Sequence, residues 1–556
     1  MKGFWNVETV RFPFAVAAGV LWALAFPLPG WAGLAWVVPA LLWYGAMGLT
    51  PAGAFRFGYV AGLAQFVVLL RWMRHMPVSV GAPAAWLSLA AYCALFPGIW
   101  LWIGRRLLGD VETEKSEEER LGESVRPVPS GPAGRSWKAW TEAASDAARR
   151  PWARRASLLV TAAMAWVALE WIRARFLSGF PWAPLGATQW RQLPLIQVAS
   201  VTGVYGVSFL VCWAGLSVGG ALMAMAFRPQ SRWSWTAEAR LPLAAVLMVM
   251  GWGFWEIMQY RRLEHAAGER TLRLALVQPS VPQTLLWDAA EDARVFAKIE
   301  DLSRQALALQ PDVLVWPEGS FGLDGTNYLR MRAMLDGTGV DWVFGTEDAA
   351  ESGGKLRRYN AAFLKRRDGT LFPAYHKRRL VIFGEFVPLA EWLPFLRWLT
   401  PIGDGFAAGD RPVDFPLGTN AVASPVICFE DVFPHGVRDH VNPGTDFLLE
   451  LTNDGWFSES AAQWQHAACA VFRAVENGVP LVRACNNGVT GWWDACGTPR
   501  SVLGEKEGDV YAPGVLLVSV PVGMPRTETP YHRNGDVFAM ACAAVTAWRL
   551  VRGRKV

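Results

Sequence analysis

The sequence predicts a multi-pass α-helical membrane bundle of eight spans joined to an α/β domain, and three observations carry that expectation. Apolar runs close to the roughly 20 residues a spanning helix needs recur along the first 260 positions. The chain has 31 tryptophans and only 18% charged residues, which suits spans bordered by interfacial aromatics. From about residue 265 to 533 the texture changes to short β-rich runs separated by helix-compatible stretches, the pattern of a layered α/β domain. At 556 residues the chain exceeds one compact core, so more than one domain is expected.

In order, the candidate spans fall near 12–28, 31–48, 55–71, 85–104, 156–172, 204–227 and 241–258, with an eighth at 537–551. The first of them has the length of a signal peptide, but the spans that follow make it the start of a bundle. Between the fourth and fifth, residues 109–155 are charged and broken by Pro and Gly, and read as a disordered cytoplasmic loop. The domains therefore divide as 1–260 (membrane), 261–534 (α/β) and 535–556 (last span and basic tail). Arg105, Arg106, Arg149, Arg150, Arg154 and Arg155 flank the long loop. Arg228, Arg232 and Arg240 flank the next loop on the same side, and Arg549, Arg552, Arg554 and Lys555 end the chain. By the positive-inside rule these segments are cytoplasmic, which puts the α/β domain on the opposite face. The net charge of +5 is accounted for by these loops, and no basic run interleaved with aromatics suggests nucleic acid.

Seven cysteines stand at 93, 212, 428, 469, 485, 496 and 542 without CxxC pairing, which argues against a metal or redox site. Cys93, Cys212 and Cys542 lie in apolar runs and read as small buried hydrophobes. A disulfide among Cys469, Cys485 and Cys496 is left open.

Three β-rich segments of the α/β domain carry a reactive residue: "VLVWPEG" ends near Glu318, "YHKRRLVIFGEF" contains Lys377, and "PVICFED" contains Cys428. Each type alone is common on surfaces or in cores. Together a thiol, a carboxylate base and a fixed cation form a set that can make and discharge a thioester. The cation also answers a difficulty, since Glu430 and Asp431 beside Cys428 oppose thiolate formation.

"WPEG", "YHKRRLVIFGEFVP", "VICFED" and "LTNDGWF" resemble the Glu-Lys-Cys motifs of the nitrilase, or carbon-nitrogen hydrolase, superfamily. Joined to eight spans they are similar to the bacterial apolipoprotein N-acyltransferases, as are "LEWIRARFLSGFPWAPLG", "LALVQPSVPQTLLWD" and "QWQHAACAVFRAVENGVPLVRACNNGVTG". The chain departs from the pattern in its 109–155 insertion and in Phe429, where many relatives carry tyrosine. The resemblance implies a nitrilase-like αββα sandwich, on the periplasmic side of the inner membrane. It also implies a phospholipid acyl donor, a diacylated apolipoprotein acceptor, contact with membrane lipid, no metal or organic cofactor, and a monomer. Glu318, Lys377 and Cys428 would be catalytic. Glu430 would position the site, Glu385 would contact the lysine from a mobile arm, and Trp287 and Trp456 would shape substrate access. Packing explains the two tryptophans equally well, and a helix-end carboxylate explains Glu430 equally well. Glu170 and Arg173, one turn apart, suggest an interfacial ion pair.

A membrane-tethered amidase or nitrilase using the same triad is the alternative enzyme, although hydrolysis of a soluble amide needs no bundle. A non-catalytic scaffold or transporter leaves the triad unexplained. The segment 385–406 is apolar but interrupted by Pro388, Pro394 and Pro401, each costing roughly 3 kcal/mol in a helix interior, so it is expected to lie in the interface as an arm.

Overall fold

A computed structural model describes residues 8–552 apart from 79–80, 120–131, 228–231, 267–269, 287, 289, 320–324, 353–354, 389–391, 393–404 and 527. The chain forms two compact units. One comprises Met1–Arg71, Trp86–Trp252 and Asp536–Val556, and the other Trp72–Ala85 and Gly253–Gly535.

The first unit is helical. Among the described residues, five helices are long and apolar enough to cross a bilayer: Pro51–Leu69, Gly81–Leu108, Trp152–Arg173, Val204–Phe227 and Glu238–Ala266. Helix Glu8–Leu24, of 17 residues, takes up the run at 12–28 only as far as Leu24, and the run at 537–551 lies in helix Val537–Arg552, of 16 residues. The run at 31–48 is divided into a 3-10 helix Ala32–Trp36 and a short helix Val38–Gly45. Pro39 explains the division, because proline has no N–H to continue a preceding turn and sits comfortably only in the first turn of a new helix.

Reading 109–155 as one disordered loop requires correction. The preceding helix continues to Glu119, and Pro132–Arg149 forms a helix of its own. Alanines spaced by four explain it: Ala144 and Ala148 are buried on one stripe, and one turn before them Trp140 Nε1 donates to the Tyr44 carbonyl at 2.9 Å. The Glu170–Arg173 ion pair also fails to form. Glu170 Oε1 accepts from Trp166 Nε1 at 2.8 Å and the Leu185 amide at 2.7 Å, while Arg173 donates to the Trp182 carbonyl at 3.0 Å.

Among its described residues the second unit contains twelve strands: β1 Thr271–Gln278, β2 Val313–Val315, β3 Asp341–Ser352, β4 Lys355–Lys365, β5 Tyr375–His376, β6 Phe415–Leu417, β7 Ala421–Ile427, β8 Phe447–Thr452, β9 Leu481–Cys485, β10 Gly491–Trp493, β11 Pro499–Val502 and β12 Gly514–Pro521. They form two six-stranded sheets, ordered β12-β1-β2-β3-β4-β5 and β11-β10-β9-β8-β7-β6. Period-two alternation builds the layers. Leu272, Leu274 and Leu276 of β1 pack with Phe447, Leu449 and Leu451 of β8 in a core between the sheets. Ala275 and Val277 face instead a second core with Val295, Phe296 and Ile299 of helix Asp292–Ala308. Helix Ala462–Asn477, buried along its length, contacts β9 of the other sheet, which completes an αββα sandwich. None of the seven cysteines is in a disulfide, Cys469, Cys485 and Cys496 included.

Candidate active site

Strand ends deliver the reactive side chains. Glu318 follows β2, Lys377 follows β5 directly, Cys428 follows β7, and Asn453 follows β8. Glu318, Cys428 and Asn453 thus stand where parallel strands stop and loops begin, the place α/β sheets put their sites, while Lys377 follows an antiparallel edge strand. Gly345 on β3 lets the Glu318 backbone pass, since a Cβ there would stand 2.7 Å from Glu318 Cα. Cys428 opens a 3-10 turn, Cys428–Val432, with φ of +50°, a left-handed conformation costing a non-glycine residue about 1–3 kcal/mol.

Lys377 is 1% exposed. Its Nζ donates to Glu318 Oε1 at 3.1 Å and to Glu385 Oε1 at 2.9 Å. Asn360 Nδ2 bridges the same two oxygens at 2.7 Å each. The second oxygen of Glu318 accepts the Asn453 amide at 2.9 Å, and that of Glu385 accepts the Val381 amide at 2.9 Å. Both carboxylates are therefore oriented by groups that cannot leave.

Burial pushes the Cys428 thiol well above its ordinary range, and the Glu318 and Asp454 carboxylates add to this while Lys377 opposes it. The residue therefore rests as a thiol. Burial disfavours the Lys377 ammonium, but Glu318, Glu385 and Cys428 outweigh burial and hold it protonated.

Glu430 spans two parts of the site. Its Oε1 accepts the amides of Arg378 at 2.7 Å and Arg379 at 3.1 Å, Oε2 accepts the Ile427 amide at 2.8 Å, and the Tyr375 hydroxyl lies 2.8 Å from both. It ties the turn at the cysteine to the segment at the lysine. Of the arm, Glu385 touches the lysine and Trp392 is 82% exposed, while Phe395, Leu396, Trp398 and Leu399 lie outside the described residues. Trp456 is half-buried in the turn Asp454–Phe457 after Asn453, and Trp287 lies outside the described residues.

Sequence reasoning missed Asn360, Asn453 and Tyr375. "LTNDGWF" contained Asn453, but an amide or phenol announces its role only through its partners. It also missed a buried cluster in which ligand atoms of Asp431, Glu450 and His466 lie within 4.8 Å of one another. Arg483 already donates to Asp431 and Glu450 there, so its guanidinium competes for the carboxylates a metal ion would need.

The chain matches the family Carbon-nitrogen hydrolase over residues 273–512, and Apolipoprotein N-acyltransferase N-terminal domain over 18–121 and 135–217. It is similar to the apolipoprotein N-acyltransferase of Geobacter metallireducens, 34% identical over 98% of this chain and 96% of that protein. The protein of the same description from Bradyrhizobium diazoefficiens is 31% identical over 73% and 75% of the two chains. That from Caulobacter vibrioides is 30% identical over 96% and 92%.

Proposed function

The chain belongs to the apolipoprotein N-acyltransferase family, and from that premise we propose that it moves an acyl chain from a phospholipid, through a thioester on Cys428, to the α-amine of the N-terminal diacylglyceryl-cysteine of a lipoprotein. The observation that carries this reading is the pairing of Glu318 and Lys377, fixed at 3.1 Å, close enough to the Cys428 thiol for both charges to act on it.

Glu318 takes the Sγ proton, and the thiolate, the nucleophilic form, attacks the ester carbonyl carbon. The oxyanion of the tetrahedral intermediate gains the Lys377 ammonium, whose charge is held in a buried site where it acts strongly. Collapse breaks the ester C–O bond, the departing lysophospholipid oxygen recovers the proton from Glu318, and the thioester remains. The lipoprotein amine then attacks the thioester carbonyl and gives its proton to Glu318. Collapse expels the Cys428 thiolate, which is reprotonated, and leaves the amide. Glu385 holds Lys377 in place, and Trp456 borders the entrance.

Besides the five long helices, the segments at 12–28, 31–48 and 537–551 would complete eight crossings of the inner membrane. The basic segments support a cytoplasmic N-terminus and a catalytic unit on the periplasmic side.

The test is intact mass after incubation with phospholipid alone. An acyl adduct released by hydroxylamine and absent in Cys428→Ala is expected. An adduct that survives hydroxylamine, or maps elsewhere, overturns the reading. Rapid loss of the adduct without an amine would instead favour a hydrolase.

A further inference from the structure

Behind the nucleophile lies an ionic cluster that this chemistry leaves unused. Glu450 on β8 and Arg483 on β9 alternate with the residues of the inter-sheet core, so they point to the opposite face, where helix Ala462–Asn477 carries His466. Asp431 belongs to the turn that begins at Cys428, and Asp454 to the turn that follows Asn453. His466 joins these turns. Its Nε2 lies 2.8 Å from Asp431 Oδ1 and its Nδ1 lies 2.8 Å from Asp454 Oδ1. Arg483 meets the same carboxylates at 3.3 Å and 2.7 Å, and its Nη2 stands 3.0 Å from His466 Nδ1 because both reach for Asp454. All five side chains are buried.

A ring nitrogen facing a carboxylate on each side carries a proton on each. We propose that His466 is a positioning residue for the transfer reaction: a doubly protonated imidazolium that fixes the nucleophile turn to the turn whose Asn453 amide orients Glu318. The proposal rests on the reading of Cys428 as nucleophile and Glu318 as base. The path is short, since Asp431 is three residues from Cys428 and Asp454 adjoins Asn453, whose amide holds Glu318 Oε2 at 2.9 Å. The titratable and charged groups facing His466 are Asp431, Asp454, Glu450 and Arg483; those facing Cys428 are Glu318, Lys377 and Asp454. A group with one proton to give could hold only one turn.

The experiment follows alkylation of Cys428 by iodoacetamide against pH, read by peptide mapping on the full chain in detergent. In His466→Gln the neutral-pH rate should fall at least about tenfold and the profile should move at least about one unit to the alkaline side, as expected when a thiol loses its positioned base. Thioester formation from phospholipid should fall in parallel. With Glu318→Gln already present, adding His466→Gln should change the rate little, because the imidazolium acts through Glu318. A direct electrostatic effect on the thiol would persist in that double variant and would overturn the proposal. So would an unchanged profile in folded His466→Gln, whatever its melting temperature. Should His466→Gln fail to fold, Asp431→Asn decides, with a smaller alkaline shift expected and a wild-type profile fatal. An acyl adduct from phospholipid that persists in Cys428→Ala would defeat the nucleophile reading itself, an outcome distinct from all of these.

Discussion

Glu430 accepts from the amides at 427, 378 and 379 and from a phenol, so a single carboxylate holds cysteine and lysine in register. Glu430→Gln leaves one acceptor oxygen for these donors and directs an NH2 at the rest. The expected cost is roughly 1–3 kcal/mol of stability for each unsatisfied buried group. Turnover should fall by about two orders of magnitude, as for a misplacement near 1 Å; thermal melting and single-turnover acylation check both. Glu450 and His466 predict a pH effect. Burial, with Asp431 and Asp454 adding to it, pushes Glu450 from 4.5 up to about 8, against Arg483. Burial alone would lower His466, but Asp431 and Asp454 outweigh it and push the imidazole from 6.5 up to about 10. Both folded-state values are raised, so the folded protein holds protons that the unfolded chain has released, and stability declines as pH climbs from about 5 to 10. Glu450→Gln should flatten the part of that decline below pH 8 in melting curves. Glu318, Lys377 and Cys428 were legible because their types are chemically distinctive at strand ends. Asn360, Asn453 and His466 were not, because their importance lies in partners 12 to 135 residues away in sequence.

At the scale of elements, the two ends of the segment 385–406 are joined by the Phe406 amide, which donates to the Glu385 carbonyl at 2.8 Å. Gly405 permits this closure, with φ of +72° and only 2.8 Å between a hypothetical Cβ and that carbonyl oxygen. Gly405→Ala should cost about 1–2 kcal/mol in backbone strain alone and slow acylation by displacing Glu385 from Lys377, measured by melting and adduct formation. If the arm admits lipid, changing Trp392, Phe395 and Trp398 together to Ser should cripple acylation from bilayer phospholipid but spare acylation by a small water-soluble thioester. Equal loss on both donors, with lowered melting temperature, would show that these aromatics are core. Long apolar spans and the two-residue alternation of β1 and β8 could be read in the sequence, because both periodicities are local. The helix Pro132–Arg149 could not, because its charge and its flanking Pro and Gly masked the buried stripe at Ala144 and Ala148.

For the molecule as a whole, sidedness is the open expectation, and thiol labelling in intact cells tests it in a Cys428→Ala background. Glu142→Cys, on the helix Pro132–Arg149, should be shielded from an impermeant reagent, whereas Glu507→Cys should react; the reverse pattern would invert the orientation. The division into a helical and an α/β unit was visible as a change of texture near residue 265. The order of strands within each sheet was not, because pairing depends on contacts far apart in the chain. One such pairing bears on how the protein is made. Thr271 to Gln278 of β1 lie antiparallel to Pro521 to Gly514 of β12, so the opening strand of the unit waits for the closing one. During synthesis β6 to β11 are all available before β12 emerges, while β1 presents a bare row of amides and carbonyls on its unpaired side. Nascent chains arrested before residue 514 should therefore be cut by protease at 271–278, and the full chain released from the ribosome should resist. The first sheet is sealed only once β12 has left the ribosome, so a chain stopped short of it carries its own exposed mark for disposal.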